Sequence, residues 1–330
     1  MAFSNTYDTT NQGSAVSNRE ELSDELTMLA PEETPVLSLA NKSKADAILT
    51  EWTTDKLRSP RTTGVAEGKD ITSFTDQHAK RARLNNRQQR FLDDYMVSVE
   101  QEAVSSVGPA DIANAEAKAI LQVKRDIEAT LLSGNTKTTE DGAGTVNAMS
   151  GLDTWIDSSG PSDVPADYRT PAASIHSSGT FTETVLNSQI TSIFRQTGMV
   201  NDLTLIADSE LRRKLSDFAR LDPDGSGADT SIRNVNYNGN EGQITLSVDV
   251  YKSHHGNVTI INMNPDCAPD TTNKDYGYLI NPSYYSIKEL RPLGTKSLPD
   301  LGGGPRGYVD CMLTLCVKHP AAHGKITVLS

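Results

Sequence analysis

DIANAEAKAILQVKRDIEATLL, residues 111–132, decides how the rest of the chain is read. Ile120, Val123, Ile127 and Leu131 recur at helical spacing on one face, and Ala113 and Ala117 continue the stripe upstream. Asp111 suits the N-terminal end, and Gly134 stands where a left-handed C-terminal cap would go. No Gly or Pro interrupts the run, so it predicts one helix about 33 Å long. The stripe is narrow: one side packs, and the other stays wet or meets a neighbour.

Upstream lies a polar tail, and then a short helix is expected, with Ser17 and Glu20 as a capping box and Leu22, Leu26 and Leu29 as its apolar stripe. Pro31 stops it and Pro35 keeps the chain extended, so residues 1–45 read as an arm without a core. Residues 46–100 open as a strand around Trp52. They continue as a polar run in which Lys80, Arg81, Arg83, Arg87 and Arg90 crowd together, and close strand-like at YMVSV. Such a stretch cannot build its own core; it is either disordered or a two-stranded extension that leans on something else. Gly108 and Pro109 punctuate the entry to the long helix.

Downstream, a helix from about Thr182 carries Leu186, Ile190 and Ile193 and ends at Gly198. LTLIA reads as a buried strand, and Asp208 caps a helix with Leu211, Leu215 and Phe218 on one face. ITLSVDVY and NVTIINM form a hairpin across a His254–His255 turn, and strands follow at YGYLI, SYYSIKEL and YVDCMLTLCV. Helices and strands mix without strict βαβ alternation, so the fold class is α+β.

The composition excludes more than it selects. Hydrophobic residues make up 36% of the 330 and the net charge is −12, which argues against nucleic acid as the main partner. Cys267, Cys311 and Cys316 are odd in number and not spaced as a metal knuckle, so free thiols in a reducing compartment are expected. No apolar run reaches the roughly 18 residues that cross a bilayer, and a soluble chain made in the cytosol is expected. Asp222, Asp224, Ser226 and Gly227 suggest a calcium loop, but Arg233 stands where the bidentate carboxylate belongs. Gly302, Gly304 and Gly307 spell GxGxxG, yet Pro305 intervenes and a strand follows where a helix should. His319 and His323 flank Pro320, which favours a turn over a metal-binding helix, and His254 and His255 read as exposed. Cys311 alternates with Val309, Leu313 and Leu315 as a core residue. No catalytic residue, cofactor site or metal site is expected. The basic cluster lacks the interleaved aromatics that stack on bases, and a partner-facing strand is the better reading.

With these segments in hand, the chain resembles the major capsid proteins of tailed bacteriophages with the Hong Kong 97-type fold. Residues 19–39 look like that family's N-terminal arm, 48–57 and 81–104 like the two sides of its extended loop, 118–135 like its spine helix, 149–156 like the segment after it, and 311–329 like its C-terminal strand and tail. The resemblance implies an N-terminal arm (1–45), an extended β-hairpin loop (46–100), a peripheral domain with the spine helix (101–180), a mostly axial domain (181–290) and C-terminal strands returning to the peripheral domain (291–330). It implies a structural, non-enzymatic subunit that self-assembles through pentamers and hexamers into an icosahedral shell around a double-stranded DNA genome. Its partners would be other copies of itself, a separate scaffolding protein, a portal protein, a decoration protein in some relatives, and DNA held without sequence-specific binding, with no membrane. It would sit in the virion capsid and be made in the host bacterial cytoplasm. Subunit contacts are expected at Trp52, Lys69, Lys80, Arg81, Arg83, Arg87 and Arg90, with the arginines meeting carboxylates of an identical neighbour. An encapsulin-type compartment holding a cargo protein is the alternative with the same fold. A soluble hydrolase with an unrecognised site is a further one.

Overall fold

The structure is a computed structural model that describes residues 33–104, 111–198, 203–218, 249–269 and 275–328. The expected arm helix at 17–29, the Gly108–Pro109 punctuation and the loop at 221–240 lie outside these residues, as does most of ITLSVDVY.

Asp111–Leu132 is one helix. Ala119, Val123, Ile127, Leu131 and Leu132 are buried along it, and Glu128 is buried beside them. Two expectations are corrected here. The stripe does not run upstream: Ala113 and Ala117 are exposed and Ile120 is half-buried. The buried contacts lie along its second half, with Val36 and Leu37 at Glu128 and Tyr278 at Leu132, while the exposed Gln101 amide donates to Asp111 at its start. Nor is Gly134 a left-handed cap, since it is not among the glycines of positive φ. The helix ends instead by Ser133, whose N–H and hydroxyl both donate to the Thr130 carbonyl.

Two larger sheets surround this helix. The four-stranded sheet has the order β1 (Asn41–Lys44), β10 (Tyr285–Leu298), β11 (Arg306–Val317), β4 (Gln89–Met96). Its central pair is antiparallel from Tyr285 opposite Val317 to Leu298 opposite Arg306. Ile287, Val309, Leu313 and Leu315 point from it into a core shared with Val123, Ile127, Met149, Leu152 and Trp155. Cys311 lies in the same core, in line with its alternating sequence. The GxGxxG loop joins β10 to β11, and Asp300 accepts the N–H groups of Gly302, Gly303 and Gly304. Gly304 has φ +116° and a side chain there would strike the Val97 carbonyl, so this glycine serves a tight turn.

The six-stranded sheet has the order β5 (Ile175–His176), β12 (Gly324–Ile326), β9 (Gly277–Ile280), β6 (Leu203–Ala207), β8 (Gly256–Asn262), β7 (Val250–Ser253). Every residue of β6 is buried. Ile206 faces the long-helix core, whereas Leu203, Leu205 and Ala207 face a second core. In β9, Tyr278 and Ile280 join the first core and Leu279 the second. Leu186, Ile190 and Ile193 of the Glu183–Thr197 helix close the second core. That helix starts where Thr182 accepts the Val185 N–H (3.4 Å) and stops at Gly198 with φ 72°. Asp208 accepts the Ser209 N–H at the head of the Ser209–Asp217 helix.

The histidines take structural places. His319 and His323 flank a Pro320–Ala322 turn, and His323 Nδ1 accepts the Asn281 N–H (3.2 Å) in the interior. Burial holds the His323 imidazole down to about 3. His254 is exposed in the β7–β8 turn, but His255 is half-buried against Phe194, stacked at 4.5 Å. That contact corrects the expectation of an exposed pair: an aromatic far away in the chain supplies the cover.

Candidate assembly interface

Trp52 lies in β2 (Leu49–Thr54), which pairs antiparallel with β3 (Ala82–Arg87) as a separate two-stranded ribbon. Trp52 stands opposite Leu84, and Leu84 is wholly buried. The Trp52 indole N–H donates to the Val317 carbonyl (3.1 Å), and its ring tilts against Trp155 with centroids 5.7 Å apart. The base of the hairpin is thus pinned to the first core, as a ribbon with no core of its own requires. β4, at the closing end of the same segment, pairs with β11 in the four-stranded sheet.

Residues 55–81, between the two strands, are exposed almost throughout and form no helix or strand. Four apolar side chains stand out in this polar stretch: Leu57 (94% exposed), Val65, Ile71 and Phe74 (91% exposed). Sequence patterning passes over them because each is isolated among polar neighbours. The available signal is their presence on a segment with nothing of its own to cover them.

The basic cluster is placed residue by residue, and it does not converge on one point. Lys80 pairs with Asp167 (2.5 Å), Arg81 with Asp55 (3.2 Å), Arg83 with Glu51 (3.4 Å) and Arg90 with Asp310 (3.2 Å). Arg87 donates to the Asn147 side chain (3.2 Å). Asp167 raises the Lys80 ammonium above its ordinary range and is itself lowered by it. Glu51 and Arg83 reach each other across the two strands of the hairpin. Asp55 and Arg81 meet just beyond its last backbone pair, Thr54 opposite Ala82. Such exposed pairs are screened by solvent and contribute little to stability. Lys69 is exposed in the loop, and its backbone N–H donates to the Ala66 carbonyl.

A buried carboxylate that the sequence did not single out ties the next segment down. Glu128 accepts the backbone N–H groups of Val36 (2.8 Å) and Leu37 (2.9 Å), at the start of the Pro35–Leu39 helix. Pro35 opens this helix in its first turn, where no N–H is needed, and so does not keep the chain extended as expected. Burial pushes its pKa up to about 7 against the pull of those two donors. Burial likewise raises the Cys267 and Cys311 thiols, to about 11 and about 12, so neither favours the thiolate. Among the described residues no group of three or more His, Cys, Asp or Glu side chains is placed to hold a metal. No described helix is long and apolar enough to cross a membrane.

The architecture has known counterparts. The chain is similar to the capsid of cyanophage A-1(L), with a TM-score of 0.64 at 14% identity over 97% of this chain and 99% of that one. It is similar to the capsid of cyanophage P-SCSP1u, with a TM-score of 0.61 at 13% identity over 98% of both chains. It is also similar to a Mycobacterium phage Adephagia structure, with a TM-score of 0.59 at 13% identity over 97% and 98%. No curated protein matches the chain. The model of the SU10 major capsid protein family matches residues 4–330, nearly the full length. That match favours a viral shell over a cargo compartment and a structural role over catalysis. The chain belongs to the SU10 major capsid protein family: it is a structural subunit that assembles with copies of itself into the capsid of a virion.

Proposed function

We propose that this subunit builds an icosahedral shell of the Hong Kong 97 type around a double-stranded DNA phage genome. The observation that carries the reading is the loop at 55–81. Leu57, Val65, Ile71 and Phe74 are exposed on a segment whose base is pinned and whose tip touches no core. Apolar groups so placed gain by lying across another subunit. In this layout residues 1–45 are the arm and 46–100 the extended loop. The long helix, with 101–180 and 291–330, makes the peripheral domain, and 181–290 makes most of the axial domain. The β6–β9 sheet and the second core support a separate axial lobe. A separate scaffolding protein, a portal, a decoration protein in some relatives and packaged DNA are the proposed partners, and the host bacterial cytoplasm is the proposed place of synthesis.

Replacing residues 57–79 by a short Gly/Ser turn should leave the far-ultraviolet spectrum and thermal melt of the subunit unchanged, and abolish closed particles in electron micrographs. Normal shells from the loopless chain would refute the loop's role.

Trp52, Lys69, Lys80, Arg81, Arg83, Arg87 and Arg90 remain the proposed contact set. The pairs that Arg81 and Arg83 make within the chain are exposed, and exchange for a neighbour's carboxylates costs little. Reversing both arginines to Glu should keep the helical spectrum and destabilise the shell, more at low salt than at high salt. Adding Glu51→Arg and Asp55→Arg to that variant rebuilds the pairs inside the hairpin and should not restore assembly. Full recovery would assign both arginines to the hairpin alone.

A further inference from the structure

We propose that Asn86 is a positioning residue for assembly: it fixes the direction in which the hairpin leaves the subunit, and with it the diameter of the shell. Asn86 lies in β3 opposite Thr50 and is wholly buried. Its side-chain amide is saturated. The NH2 group donates to the carbonyls of Ser150 (3.2 Å) and Leu315 (2.8 Å), and the oxygen accepts the N–H groups of Ser150 (2.9 Å) and Arg87 (3.0 Å). With Ser150 the amide makes a closed pair of bonds, as one strand makes with the next. Three elements therefore meet on one side chain: the hairpin, the segment that follows the long helix, and β11 in the four-stranded sheet. Asn is the residue that completes this set. Asp lacks both donors and would set a charge against two carbonyls, and Gln carries the same amide one methylene further out.

Ser150 is held in its turn. The Gly151 N–H donates to the Asn135 carbonyl (3.1 Å). A side-chain carbon at Gly151 would lie 2.1 Å from the Ser133 carbonyl oxygen and 2.8 Å from that of Thr130. The Gly151 backbone, at φ −85°, suits any residue, so close approach to the end of the long helix is what demands glycine there. The Ser150 hydroxyl accepts the Lys137 N–H (2.8 Å), and the Lys137 ammonium bridges Asp163 (2.5 Å) and the Asn85 side chain of β3. The root of the hairpin is thus referred to the end of the long helix through two residues of backbone and one buried amide.

A loop that lies across another subunit carries the angle of its root into the angle between subunits. A closed shell repeats that angle at every such contact, so an error at the root appears as a change of diameter. The proposal rests on the reading of the loop at 55–81 as the part that spans subunits.

Two measurements test it. On unassembled subunits, spin labels at Thr53→Cys in the hairpin and Gln122→Cys on the long helix, both exposed, should give one narrow distance distribution. The native Cys267, Cys311 and Cys316 are buried, so the labels add at the new sites. Gly151→Ala and Asn86→Ala should each widen that distribution about twofold. In particles, both variants should close shells of mixed diameter. Leu186→Ala, a cut in the second core, should lower the melting temperature and keep the parental diameter. Gly151→Ala leaves the Asn86 side chain unaltered, so it carries the test where Asn86→Ala fails to fold. Unchanged label distances, or uniform shells despite widened ones, overturn the positioning role and leave the shell reading standing. Mixed diameters from Leu186→Ala as well assign the effect to stability and overturn it too. An unmodified chain that closes no particles overturns the shell reading, and the label distances still decide the root of the hairpin.

Discussion

Ile127→Asp should leave no soluble, assembled protein. Ile127 is 2% exposed at the centre of the first core, with Val123 and Leu131 one turn away on either side, both wholly buried. A carboxylate there is desolvated among apolar side chains. The expected cost is about 4 kcal/mol or more. That is most of the stability of a marginal domain, in a class that spans about 5–15 kcal/mol. Ile127→Val, which only trims a methylene, should cost about 1 kcal/mol and assemble normally. Recovery of soluble, closed particles from the Asp variant at the parental yield would show that this face of the helix is not core.

Glu128 gives the second large effect. Glu128→Ala strands the Val36 and Leu37 N–H groups in the interior, at about 1–3 kcal/mol for each unsatisfied donor, and should loosen the Pro35–Leu39 helix first. The pH dependence has a definite sign. The folded pKa stands at about 7, raised by burial from 4.5, so the folded state binds the proton more tightly than the unfolded chain does. The stabilisation from that proton is fully present below pH 4.5 and is lost as pH rises through about 7, a swing of about 3 kcal/mol. Glu128→Gln removes the titration. Denaturant midpoints between pH 5 and 8 should therefore fall for the parent relative to this variant. Parallel slopes for the two proteins would exclude the effect. Cys267 and Tyr285 feel the same carboxylate, yet burial raises both, so neither titrates across this range.

What the sequence disclosed depended on whether the cause of a structure was local. The long helix was legible because Val123, Ile127 and Leu131 carry their period within a few residues. LTLIA announced a buried strand for the same reason, and the isolated Trp52 before a polar run announced a hairpin that must lean on the body. Glu128 was invisible: it follows Lys124, Arg125 and Asp126, and reads as solvent-facing until Val36 and Leu37, 92 and 91 positions away, supply donors. The arginines misled in a related way. Their partners Glu51, Asp55 and Asp310 are scattered through the chain, so a cluster that looked uncompensated in sequence has carboxylates within its own fold. The strand order of the six-stranded sheet, which mixes parallel and antiparallel neighbours, follows from no local pattern.

Strands β6 and β9 divide their side chains between two cores, and this governs how the subunit can yield under load. A shift of one residue along β6 would carry Ile206 out of one core and bring Leu205 or Ala207 into it, so both cores would be spoiled at once. The two lobes are locked like gears on a shared rack. Strain imposed by a curving shell cannot relax by sliding one lobe over the other. It must pass outward into the parts that belong to neither core: the exposed loop at 55–81 and the exposed far end of β10. In the proposed icosahedral shell, compliant limbs on a stiff trunk would let one sequence fit positions of unequal curvature without repacking its interior.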